Sequence, residues 1–492
     1  MTQQSFGIDI ASIDDAGIEA GLGVLAQPPD WLVAIEDLDR LRADLERTIP
    51  ELASGELNLV SCKFKRARIA DGTYWSLCRL KIEDRDGSAR HDVDVHGVLV
   101  LPWMDAPAVP AAPARFAELN WHCYLSDLRW EISVEPADTA LPAMPSLTDP
   151  DLSRELLEGA IRATRGDLAD IEIARCTPTV MRYREGRRCT IRYELEYAAD
   201  VRQPHWPDGM IAKVYEGDEG HGTFEAMTAL WSSPMRESST VKIAEPLAFI
   251  PEQSVMVQGL VPGDRSMKDH IKAVFKKEGL DAGIAALESP VRKAGRGLGE
   301  LHTSGALVGP VVTWEEQVAA VRHAGDDLAS VIPTLGDAME PLVTRLETLG
   351  QAEPAGPLVP THRSFRPAQI LMDGDDISFI DFDGFVQAEA GLDLALFRTT
   401  LCDLILRALE VDDQVMSVED QAACQVKLDE LCGVFLAGYA EVAEYSPERL
   451  ALWDALTSTK DILDCWRKIK FEHLERRMRI LHHKLGDVPT VT

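Results

Sequence analysis

Residues Leu358–Phe397 read LVPTHRSFRPAQILMDGDDISFIDFDGFVQAEAGLDLALF, and the rest of the chain is interpreted outward from them. Within the stretch an apolar run, Ile377–Ile380, ends on Asp381, with Phe382 and Asp383 directly after it. A carboxylate at the end of an apolar strand suits a hard divalent cation such as magnesium, which takes oxygen ligands. A solvated turn aspartate is the competing account. Upstream stand His362, Arg363, Ser364 and Gln369; downstream, Asp393-Leu394-Ala395 lies in the helical pattern 392–409.

In this order the residues resemble the aminoglycoside phosphotransferase family, the small-molecule branch of the protein-kinase-like fold. That family's loop reads His-Gly-Asp-x-x-x-x-Asn-Ile-Leu, followed by a short hairpin, Ile-Asp-Phe-Asp and a later Asp-Leu-Ala. The matching residues are His362, Gln369-Ile370-Leu371, Ile380-Asp381-Phe382-Asp383 and Asp393-Leu394-Ala395. Some relatives use His-Arg-Asp-Phe-Tyr-Pro-x-Gln, so Gln369 is ordinary in that setting. Ser364 is the departure, because it stands where the family has its catalytic aspartate.

The resemblance implies ATP and Mg2+ as cofactors, with Gln369 and Asp381 as metal ligands. It implies a structural His362 bracing the loop and an Asp393 that orients the loop backbone. At Ser364 a neutral hydroxyl does not accept a proton as a carboxylate does. General-base assistance is typically worth about 10²–10⁴-fold, whereas phosphoryl transfer depends mostly on positioning and electrostatic stabilisation. A slow or repurposed enzyme is therefore expected, rather than a dead one. Asp383 is the substitute carboxylate, provided its side chain reaches the acceptor pocket.

Outward from this stretch, Lys213 sits inside the apolar run Ile211-Ala212-Lys213-Val214-Tyr215. An ammonium among apolar neighbours needs an anionic partner, since unpaired burial is costly. Nucleotide phosphates and Glu225, on the helix that follows, are the expected partners; an edge-strand lysine facing water is the alternative. Around Gly186 two strand-like runs suggest a hairpin. Arg187, beside Arg184 and Arg188, could supply a guanidinium to phosphate or merely flank a tight turn. In Val255–Gly263, Met256 and Gln258 belong to the lobe connection that the resemblance implies, where free strand backbone would pair with adenine; a plain strand and turn compete.

The chain has 492 residues and a formal net charge of −31, with 81 acidic against 50 basic residues. A nucleic-acid partner would need a basic face, so none is expected. Nine cysteines lack metal-binding spacing and suit reduced thiols packed as small apolar residues. The first residues, MTQQSFGIDIASIDDAG, lack a signal-peptide pattern. No apolar run approaches the roughly 20 residues that span a bilayer, which makes a cytoplasmic protein without a membrane partner the expectation.

Before residue 150 the pattern gives a helix over 35–49 and strands over 57–66, 73–83, 91–100 and 116–134. The segment MDAPAVPAAPAR reads as a loop. From residue 151 a helix, strands and then mainly helices follow, the last over 458–484 with the basic run WRKIKFEHLERRMRILHHK. That run reads as a solvated face over an apolar seam, or as a docking surface for acidic groups. The expected fold is α+β: a bilobal protein-kinase-like fold with a β-rich N-lobe (149–258) and a helical C-lobe (259–492), preceded by a smaller α+β N-terminal domain (1–148). The expected function is an ATP/Mg-binding pseudokinase or impaired phosphotransferase, regulatory or scaffolding, with a small-molecule or protein partner. The rival is an active phosphotransferase on a small-molecule hydroxyl with a non-standard base.

Overall fold

The computed structural model describes residues 15–33, 35, 37–70, 72–101, 104–105, 116, 121–134, 141–184, 186–198, 200–410 and 416–486. Most of the MDAPAVPAAPAR segment, the first fourteen residues and Glu185 lie outside them. The chain forms two compact units. Residues 1–137, 315–352 and 458–492 make one, and residues 138–314 and 353–457 the other. The division differs from three consecutive segments, because helical periodicity marks an apolar face without saying which partner covers it.

The first unit is built on an antiparallel sheet of five strands, in the order Leu57–Ala70, Thr73–Asp84, Arg90–Leu99, Trp130–Ser133 and His122–Leu125. The single run expected over 116–134 is two strands, and Arg129 between them takes a left-handed φ of 55°. Alternation drives Leu80 and Ile82 inward with Tyr74 and Trp130, as a half-buried strand requires. The helix Leu38–Thr48 starts one residue after Asp37, whose side chain accepts from the backbone N–H of Asp39 and Arg40. Asp44 on this helix is buried and accepts from the backbone N–H groups of Asp127 and Leu128, each at 3.1 Å.

The expected final helix is broken. Pro447–Arg467 and Leu474–Leu485 are separate helices, with Ile469 left-handed between them. Nor is its basic run a solvated face, since Arg476 and Lys484 are buried. Among the described residues no helix is long and apolar enough to cross a membrane.

In the second unit a short helix, Met144–Thr148, leads into the helix Pro150–Thr164, which is capped by Asp149 and started by a proline in its first turn. A five-stranded antiparallel sheet follows, ordered Pro246–Ile250, Val255–Gly259, Gly209–Tyr215, Arg188–Glu196 and Arg175–Arg184. Leu157 and Ile161 of the helix pack with Ile191, Ala212, Val214, Leu247 and Val257 of the sheet. Each such side chain removed from water contributes about 1.5–3 kcal/mol. A smaller sheet pairs Ile370–Asp373 antiparallel with Asp376–Phe379, which runs parallel to Val241–Ile243. The strand Leu358–Thr361 pairs with Val386–Glu389.

Helices complete this unit: Met267–His302, Gly391–Leu409 and Val418–Ala440. A β-rich part followed by a helical part, with a lysine strand and an acidic turn, is the bilobal protein-kinase-like α+β fold. The helices Met267–His302 and Val418–Ala440 meet backbone to backbone. A Cβ on Gly295 would collide with the Phe435 carbonyl, and one on Gly438 with the Arg292 carbonyl. Overpacking of this kind costs typically about 1–3 kcal/mol. Gly295→Ala is therefore expected to lower unfolding free energy by about that amount in chemical denaturation; unchanged stability would show that the crossing yields freely.

Candidate active site

Lys213 lies in the strand Gly209–Tyr215, between its register partners Thr190 and Met256. Directly opposed residues share a sheet face, and so do residues two apart. Lys213 therefore shares its face with Tyr215 and with Met256 and Gln258, both buried. Its ammonium donates to Asp381 Oδ1 at 2.7 Å and to Asp383 Oδ1 at 2.5 Å. Tyr215 donates its hydroxyl to Asp383 Oδ1 at 3.0 Å, and Arg188 donates to Asp383 Oδ2 at 2.8 Å. Gln369 donates its amide N–H to Asp381 Oδ2 at 2.8 Å.

The electrostatics follow from burial and pairing. Burial opposes the Lys213 charge, but Tyr215, Asp383 and Asp381 outweigh it and keep the amine protonated above its usual range. Burial likewise opposes the Asp381 charge, and Lys213, with smaller help from Arg188 and His362, holds that carboxyl well below the usual carboxylate range. Asp381 itself occupies the left-handed region, at φ 71°. Non-glycine residues held there cost of order 1–3 kcal/mol and gather at functional sites.

The loop behind the acidic turn is held by His362 and Asp393. The Ile380 carbonyl can only accept, so His362 Nε2 carries the proton and donates to it at 3.0 Å. Nδ1 lies 3.1 Å from the Ser364 hydroxyl, and in the neutral imidazole it accepts from that hydroxyl. Arg363 between them is left-handed, at φ 63°. The backbone N–H of His362 donates to Asp393 Oδ2 at 2.7 Å. Buried His302 faces the same carboxylate oxygen through Nε2 at 3.4 Å and the Tyr439 hydroxyl through Nδ1 at 2.9 Å.

The structure thus brings Lys213, Gln369, Asp381 and Asp383 together, with His362, Ser364 and Asp393 in the loop beside them. Glu225 stands apart. Its helix, Glu219–Trp231, buries Gly220, Thr223, Ala226, Met227 and Leu230. That phase leaves the Glu225 side chain 60% exposed, opposite His221 at 3.7 Å. The expected ion pair with Lys213 is replaced by the two turn aspartates. Arg187 is exposed in the hairpin turn, where Gly186 takes φ 68°; Arg188, the next residue, reaches the site. The strand Val255–Gly259 lies between two strands, and Gly259 donates to the Glu245 carbonyl at 2.8 Å. Its backbone is therefore committed to the sheet over Val255–Gly259, and the rest of the expected lobe connection, residues 260–263, follows the strand. Asp383 has its oxygens taken by Lys213, Tyr215 and Arg188, which leaves it poorly placed as a substitute base. Tyr215 was findable from the period of two that links it to Lys213; nothing in the sequence distinguishes Arg188 from Arg187.

Among the described residues no group of three or more His, Cys, Asp and Glu side chains is arranged to hold a metal unaided. Magnesium is commonly held by one or two carboxylates together with substrate phosphates and waters. Asp381 and Gln369, the expected ligands, stand together at the acidic turn, with the Gln369 amide N–H donating to Asp381.

No family model matches the sequence, and no curated protein matches it either. Among solved structures the chain is similar to glucosamine kinase in complex with glucosamine, ADP and inorganic phosphate, at 13% identity and a TM-score of 0.46, over 90% of this chain and 98% of that one. Spectinomycin phosphotransferase in complex with ADP and spectinomycin is similar at 11% identity and a TM-score of 0.41, over 69% and 99%. A choline/ethanolamine kinase family protein from Mesorhizobium loti is similar at 16% identity and a TM-score of 0.40, over 68% and 94%. These neighbours share a protein-kinase-like fold.

Because the Asp381 carboxyl is depressed in the folded state, its stabilisation is present above the unfolded value of about 3.9 and is lost as pH falls below it. Asp381→Asn is expected to cost about 1.5–3 kcal/mol at pH 7. In paired denaturation curves the gap to wild type should close on acidification below about pH 4; a gap that widens there would contradict the pairing.

Proposed function

We propose that this chain binds a magnesium–nucleotide complex at the Lys213–Asp381–Asp383 cluster and transfers phosphoryl groups slowly, without a carboxylate base. The observation that carries this reading is a buried ammonium shared by two carboxylates at 2.7 and 2.5 Å, beside the Gln369 amide that donates to one of them. Lys213 is placed to meet nucleotide phosphates, and Arg188 adds a second fixed cation at the same turn. Asp381 and Gln369 would hold magnesium, which when bound supplies charge neutralisation on the transferring group.

Transfer also needs the acceptor hydroxyl to lose its proton. Ser364 offers no negative charge for that purpose, and Asp383 is engaged by three donors. Positioning and electrostatics remain, which is why the step is slow rather than absent.

The Ser364–His362 hydrogen bond favours one second reading, an active relay. In it the acceptor proton passes to Ser364 Oγ while the Ser364 proton passes to His362 Nδ1. Nucleophile-to-base and base-to-orienter contacts of 3.1 and 3.0 Å fit such a chain. Nucleotide turnover in two variants separates the readings. Without a relay, Ser364→Asp should raise turnover by about 10²–10⁴-fold. With a relay, Ser364→Ala should lose turnover while nucleotide affinity stays constant. Failure of wild type and Ser364→Asp alike to release ADP would overturn both readings of transfer.

A further inference from the structure

A group of cations without ion-pair partners among the described residues borders the catalytic loop. Lys268 and Lys272 stand one turn apart at the start of the helix Met267–His302, on one face of it. Arg366 follows Ser364 by two residues and its carbonyl accepts from the Gln369 N–H at 2.8 Å, closing the turn Pro367–Gln369. Arg407 lies in the last turn of the helix Gly391–Leu409. Backbone pairing ties these pieces together. Arg265 and Ser266, just before the first helix, pair with Met372 and Leu371, just after Gln369. Both helices pack against the Pro367–Gln369 turn.

None of these four side chains forms an ion pair or a hydrogen bond with any described residue, although acidic residues outnumber basic ones 81 to 50 in this chain. Lys272, Arg366 and Arg407 are exposed and Lys268 is half-buried. Lys268 bears the mark of the crowd: burial first, then Lys272, Arg366 and Arg407, draw its amine below the ordinary range against the opposing pull of Asp269. Asp269 is itself engaged by the Ser266 hydroxyl at 2.7 Å. Like charges left together and unpaired are destabilising, so the arrangement asks for an anion from outside. The positive end of the first helix adds to the same field.

We infer that this face of the catalytic loop is the acceptor site, and that it takes an anionic acceptor carrying phosphate or carboxylate. The inference rests on the phosphotransferase reading above and supplies its substrate class. Arg366 and Arg407 offer guanidinium forks suited to such groups, and Lys268 and Lys272 offer point charges at the helix start. An acceptor anchored there by its anionic end would turn its hydroxyl toward the Ser364 position, two residues from Arg366.

The test uses the full chain, first filled with magnesium and the β,γ-imido analogue of ATP in a calorimeter and then titrated with inorganic phosphate as the probe. Phosphate should bind the nucleotide-filled protein. The double variant Lys272→Glu/Arg407→Glu, both at exposed positions, should weaken phosphate at least ten-fold and leave the nucleotide analogue's affinity unchanged. Added salt should weaken phosphate binding in the wild type. Absence of phosphate binding, or equal affinity in the variant, would overturn the anionic site. Failure of the nucleotide analogue to bind would instead overturn the reading on which it rests, and phosphate titration of wild type and variant without nucleotide would still decide the cation cluster.

Discussion

The site depends on one buried cation. Lys213 Nζ sits within hydrogen-bonding distance of two carboxylates that follow it by 168 and 170 residues. Taking one ammonium and two carboxylates out of water is expensive, and only close pairing with further donors repays it. Tyr215, Arg188 and Gln369 provide those donors. The same contacts tie the five-stranded sheet to the acidic turn, so the feature that makes the site chemically useful also sets its geometry. Two carboxylates face one lysine, and Arg188 supplies the second positive charge, so nucleotide phosphates entering here would bring negative charge to a balanced cluster. A divalent cation delivered with the phosphates would neutralise that charge.

The loop's scaffold is built from bonds that leave position 364 free to vary. Asp393 holds the loop backbone through the His362 N–H, and His362 holds the acidic strand through the Ile380 carbonyl. These bonds do not involve the Ser364 side chain. Replacing a carboxylate there leaves the scaffold intact and changes only what can happen to an acceptor proton. Neutral Ser364 also removes a negative charge from a loop that carries Arg363 and Arg366. That difference and the cations beside it, which have no ion-pair partner among the described residues, make this side of the loop more positive.

Much of this was legible in the residues. The run ending at Asp381, the order His362, Gln369, Asp381 and Asp393, and a lysine inside an apolar strand pick out residues that the structure brings together, because each is a local pattern with a local physical reason. The failures were questions of phase and partnership. Glu225 was assigned to Lys213 from chain proximity, whereas the helix turned it outward and the turn aspartates came nearer. Arg187 and Arg188 differ by one position in a hairpin, and a shift of one residue reverses the face a strand side chain occupies. The strand Val255–Gly259 reads equally well as an edge or an interior strand until its second neighbour is known. The basic run near the C-terminus has amphipathic spacing, yet its buried Arg476 and Lys484 could be foreseen only by knowing what packs over it.

The central claim is that the buried cluster is a nucleotide site, with magnesium neutralising the phosphates bound there. Calorimetric titration of ATP into the protein, with and without magnesium, tests it most directly, with Lys213→Met as the control. The account predicts measurable binding that tightens at least ten-fold with magnesium and is lost in Lys213→Met. Binding that is indifferent to magnesium, or equal in wild type and Lys213→Met, would contradict it.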